Sequence, residues 1–116
     1  MHISEIKDYE ISQIANSIWK EIIIGSNNMD WDLFSKRAAP SLKTDELKSN
    51  IEHQWKTNKV LTTLTQEFQE ITILRREDEV LVLYKQRSTE VKGELLGALK
   101  LILEEGEISV AGTLIK

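Results

Sequence analysis

Apolar residues recur every three or four positions over the first half of this chain and every second position over the rest, the change falling near Val60. The first period is that of a helix with one buried stripe, and the second that of a strand with one buried face. Helices followed by strands that are joined through short turns predict an α+β domain: three N-terminal helices packed on a curved, four-stranded antiparallel sheet. The first helix is expected over residues 4–24, with Ile11, Ile14, Ile18 and Ile22 as its stripe and Ala15, Trp19 and Ile23 widening it. Gly25 follows as the natural stop, since glycine adopts the left-handed conformation without strain. In the run SNNMDWDLFSKRAAP, Asn28 or Asp30 can cap a short second helix carrying Trp31, Leu33 and Phe34, and Pro40 ends it.

A third helix is expected from Thr44 to about Asn58 and Lys59, with Asp45 and Glu46 in its first turn, where the macrodipole favours negative charge. Leu47, Ile51 and Trp55, four residues apart, define its buried face. Strands are expected over residues 64–75, 79–89, 94–103 and 107–115. In the first of these, Ile71, Ile73 and Leu74 break strict alternation and signal a bulge. The second begins apolar on both faces, Val80, Val82 and Tyr84 against Leu81 and Leu83, which predicts a central strand covered on both sides there. Gly97 and Gly112 fall inside strands, marking bends or close backbone approach.

Composition narrows the setting. A chain of 116 residues with no linker reads as one domain, residues 1–116. It has no cysteine, which excludes disulfide and thiolate chemistry and fits a reducing, cytoplasmic setting. The opening MHISEIKDYE has no apolar run of a signal peptide, and no segment approaches the about 20 apolar residues that span a bilayer, so no membrane partner is expected. A formal net charge of −4 repels phosphate backbones and argues against nucleic acid. The basic residues Arg75, Arg76, Lys85, Arg87 and Lys92 lack interleaved exposed aromatics and read as solvated strand faces.

The order of elements resembles the cone-shaped family of nuclear transport factor 2 and its ketosteroid-isomerase and dehydratase relatives. GSNNMDWDLF is similar to the family's break after the first helix, VLVLYKQRSTEVKGELLGALKLILEEGE to its long central hairpin, and GEISVAGTLIK to its last strand. AAPSLKTDEL is too short and helix-prone for the strand or hairpin that closes the pocket in the family's enzymes, so the chain resembles a reduced subgroup with a more open cone. The resemblance implies a homodimer through the open face of the sheet, for which Leu81, Leu83, Leu96 and Ile102 are suited. It carries no catalytic residue over to this sequence.

Candidate chemistry is sparse. His53 is out of step with the Ile51–Trp55 stripe and reads as a surface residue, and it has no second strong ligand three or four positions away, so no metal and no cofactor is expected. Asp30 and Asp32 read as residues of a helix start. Trp19, Trp31, Phe34, Trp55 and Tyr84 are side chains of core size that can also wall an apolar pocket. Tyr84, Gln86 and Ser88 share a face; they read as a polar strand end in solvent, or else as hydrogen-bonding groups inside the cone. The candidate ligand-binding set is therefore Trp19, Trp31, Phe34, Trp55, Tyr84 and Gln86, with no catalytic or metal residue. The expected function is a non-catalytic binding or protein-interaction module with an apolar pocket; the alternative is an isomerase, dehydratase or hydrolase acting on a small hydrophobic molecule.

Overall fold

The computed structural model describes residues 2–116. Three helices, α1 (Asp8–Asn27), α2 (Trp31–Phe34) and α3 (Asp45–Thr57), precede four strands, β1 (Leu64–Arg75), β2 (Val80–Ser88), β3 (Leu95–Glu104) and β4 (Glu107–Ile115). The strands form one antiparallel meander in the order β1-β2-β3-β4, open at both edges. The architecture is α+β, as the change of period requires.

Helix α1 buries Ile11, Ala15, Ile18, Trp19, Ile22 and Ile23 against the sheet residues Val80, Val82, Tyr84, Leu99 and Leu101, which together form the core. It begins four residues later than its sequence suggests. Residues 3–5 instead form a separate 3-10 turn that sends Ile3 into the core, and Ile6 and Lys7 are extended. Arg75 holds this turn from β1, donating to the Ser4 carbonyl at 2.7 Å and pairing with Asp8.

Gly25 does not stop the helix, which runs on to Asn27. Its lack of a side chain serves packing: a Cβ there would lie 2.7 Å from the Phe34 nitrogen, so only glycine lets α2 close onto α1. The left-handed residue at the break is Met29, with φ 52°. Asp30 caps α2 by accepting from the Leu33 N–H at 3.2 Å, and Thr44 caps α3 by accepting from Leu47 N–H at 3.1 Å.

The end of α1 is tied directly to the start of β1. The Asn27 carboxamide accepts from the Leu64 N–H and donates to the Leu64 carbonyl, both at 2.8 Å, as a neighbouring strand would. One residue back, Ser26 Oγ donates to the Leu61 carbonyl and accepts from Trp55 Nε1.

The bulge expected in β1 lies between Glu70 and Thr72, leaving Ile71 unpaired and 53% exposed. The register of β1 also shifts between Leu64 and Phe68, and a further bulge lies opposite Lys100 and Leu101, where β4 carries Ala111 as an extra residue between Val110 and Gly112. Two sequence expectations about the sheet are corrected. The Tyr84–Gln86–Ser88 face is not a solvated strand end: all three residues are buried beneath the helices. Nor is β2 covered on both sides, because the helices pack on one face and leave Leu81 and Leu83 half-exposed on the other.

Candidate functional site

Helix α3 leans on the rest of the molecule mainly through one residue. Trp55 is its only fully buried side chain, set edge-on to Phe34 with centroids 5.4 Å apart and hydrogen-bonded through Nε1 to Ser26 Oγ at 3.0 Å. Leu47 and Ile51, on the same stripe, are half-buried because no element fills the space between them and β4.

That space is an open groove made of two adjoining clefts. One, of about 360 Å³, lies between Ile22 and Ser26 of α1, Phe34, the α3 stripe and the end of β4. The other, of about 200 Å³, lies between Trp31, Phe34, Leu42 and residues Val110 to Thr113 of β4. Phe34, Leu47, Ile51 and Thr113 line both. The β4 wall is fixed by residues 37–39, which pair with Val110 through Ala39 N–H at 2.9 Å and the Arg37 carbonyl at 2.7 Å.

The six candidate binding residues therefore fall into two groups. Trp31, Phe34 and Trp55 line the groove. Trp19, Tyr84 and Gln86 lie in the core with 0% exposure. Trp19 is stacked on Tyr84 at 4.7 Å with 16° between planes, and Phe68 meets Tyr84 edge-on at 5.3 Å.

The polar atoms of that core are matched to one another. Trp19 Nε1 donates to Gln86 Oε1 at 3.0 Å, and Gln86 Nε2 donates to the carbonyls of Thr65 at 2.8 Å and Arg87 at 3.1 Å. Tyr84 donates its hydroxyl to Asn16 Oδ1 at 2.8 Å. Burial pushes the Tyr84 phenol well above its ordinary range, and the Glu70 carboxylate raises it further. Glu70 itself keeps one carboxylate oxygen buried without a hydrogen-bond partner.

Other candidates take structural or surface positions. His53 is exposed on α3, and Asp32 is exposed beside the capping Asp30. Lys85 and Arg87 pair with Glu94, at 3.0 and 3.8 Å, and Arg76 with Glu79 at 3.6 Å, so the basic strand residues are balanced by neighbouring acids. Among the described residues, no cluster of three His, Cys, Asp or Glu side chains is arranged to hold a metal ion, and no helix is long and apolar enough to cross a membrane.

Sequence reasoning took Leu47 and Ile51 for a buried face. The signal of a groove was available in the shortness of that face: three large apolar residues on a helix of 13 cannot seal it against a sheet. Asn50, Gln54 and Thr113, which also line the groove, gave no signal that sets them apart from ordinary surface residues. A scan against protein-family models matched none, and a search of curated proteins returned no match.

Proposed function

We propose that this chain is a reduced member of the nuclear transport factor 2-like superfamily, acting as a binding module that holds an apolar small molecule between α3 and β4. The observation that carries this reading is the groove itself. Phe34, Leu47 and Ile51 remain partly exposed around clefts of about 360 and 200 Å³, the larger of which falls at the lower end of the volumes small-molecule sites occupy. Trp31 and Trp55 report on it directly.

The test is titration with an uncharged solvatochromic dye such as Nile red, followed by dye emission and tryptophan fluorescence. Saturable binding to the parent chain and its loss in Ile51→Arg, with an unchanged unfolding midpoint, is the expected result. A parent chain that gives no saturable signal overturns the reading. Native mass spectrometry of gently purified protein then shows the mass of any retained occupant.

The proposal extends to a homodimer through the uncovered sheet face. Leu74 and Leu96 are exposed there beside half-exposed Leu81, Leu83, Ala98 and Ile102. The charges around this face are already paired within the chain, Lys85 and Arg87 with Glu94 and Lys100 with Glu79. A self-complementary second copy suits such a face better than a partner of strong opposite charge.

The enzymatic alternative has one observation in its favour, the unpartnered Glu70 oxygen near Tyr84. Neither Glu70 nor Tyr84 lines the groove, so the binding reading accounts for more of the molecule.

A further inference from the structure

The walls of the groove define the class of molecule it takes, an inference that rests on the binding reading above. Charged residues make up 29% of the chain, yet none lines either cleft. Helix α3 instead presents two parallel rows, each stepping by four residues. One is apolar, Leu47–Ile51–Trp55. The other is made of carboxamides, Asn50 and Gln54 with Asn58 just beyond the helix end. Four-residue steps place each row along one side of the helix, so an apolar surface and a hydrogen-bonding rail run side by side for about 12 Å.

The two serine hydroxyls of the groove are engaged within the protein. Ser26 Oγ is held between Trp55 and the Leu61 carbonyl, and Ser35 Oγ donates to the Trp31 carbonyl at 2.7 Å. Gln54 donates to the Asn50 carbonyl, which leaves that pair the Asn50 N–H groups, the second Gln54 N–H and the Gln54 carbonyl to offer a ligand. These groups donate and accept but carry no charge. A carboxylate or ammonium seated here would lose hydration without meeting a counter-charge, whereas a hydroxyl, ester or amide would exchange water for the carboxamides at little cost.

We propose that the groove selects uncharged, elongated amphiphiles, an apolar body with a neutral polar tip, and rejects ions of the same shape. The test compares n-decanol, decanoate and decylammonium at neutral pH, the alcohol below its solubility limit and the ions below their micelle concentrations, by tryptophan fluorescence of the full chain. Decanol is expected to bind at least about tenfold more tightly than either ion, a difference of about 1.4 kcal/mol. Gln54→Lys, a change at an exposed position, is expected to raise the affinity for decanoate relative to decanol several-fold, the gain of a charge-assisted hydrogen bond.

Equal binding of all three by the parent chain overturns the selectivity and leaves the groove reading standing. Binding of none overturns both. A decanoate-to-decanol affinity ratio that Gln54→Lys leaves unchanged overturns the assignment of the carboxamide rail as the seat of the polar tip.

Discussion

The six-membered ring of Trp19 occupies the place where a side chain at Gly97 would begin: a Cβ there would lie 2.5 Å from Cζ2 and 2.9 Å from Cη2. The tryptophan of the first helix and the glycine of the third strand form a single fitted contact, closed on the other side by Tyr84.

Gly97→Ala is accordingly expected to destabilise the fold by about 1–3 kcal/mol, the usual cost of overpacking a rigid core. Gly112→Ala is the control, since the nearest neighbour of its Cβ is Lys100 Cβ at 4.0 Å. Urea unfolding of the two variants checks the difference. If Gly97→Ala is as stable as Gly112→Ala, the indole is not held where it is described.

Trp55 both anchors α3 and walls the groove, so its truncation and its conservative replacement should part company. Trp55→Ala is expected to cost about 3–5 kcal/mol, as other large aromatic deletions do. Trp55→Phe keeps an aromatic edge toward Phe34 but loses the hydrogen bond to Ser26 and part of the buried ring, for about 1–2 kcal/mol. Chemical denaturation followed by circular dichroism separates them. Near-equal losses would mean that the hydrogen bond, not the ring, holds the helix.

The raised Tyr84 phenol ties stability to alkaline pH. The folded protein keeps this proton at pH values where the unfolded chain, with a tyrosine near 10, has begun to lose it. Its contribution is whole below about pH 10 and declines as pH climbs from there through the higher folded value. Stability measured from pH 9 upward should therefore fall above about pH 10, and Tyr84→Phe should flatten that fall despite losing the bond to Asn16. An unchanged slope in the variant would assign the alkaline loss to other groups.

Leu83→Glu places a charge in the middle of the uncovered sheet face without touching the core. Light scattering on a size-exclusion column is expected to show a dimer for the parent and a monomer for the variant, with similar unfolding midpoints. A parent chain that is monomeric at tens of micromolar removes the dimer from the proposal.

Most of the architecture was legible because it rests on period alone. The boundaries of β1 and β4, the bulge at Ile71, the start of α3 beside Thr44 and the close approach at Gly97 all follow from local chemistry. What sequence could not give was the choice between partners that local rules leave equal. Tyr84, Gln86 and Ser88 have the look of a wet strand end; they are dry because distant groups, Asn16, Trp19 and Thr63, meet their polar atoms.

Gly25 shows the same limit from the other side. Its stop signal is real, but the tight seat of Phe34 uses the missing Cβ before the helix ends. Of the groove, an apolar pocket and three of its aromatic walls are legible in the sequence; its place is not, since that depends on how far α3 stands from β4.

The pair of hydrogen bonds between Asn27 and Leu64 has a consequence for how this molecule can change. Everything from residue 28 to residue 63, including α2 and α3, leaves and re-enters the body through one pinched neck, closed by the contacts of Ser26 and Asn27 with Leu61 and Leu64. The segment is thus an excursion from a frame that is already shut behind it. Substitutions in the excursion can reshape the walls of the groove while the threading of α1 onto β1 stays the same, which makes the shape of the groove the cheaper property for mutation to explore and the frame the more constant one.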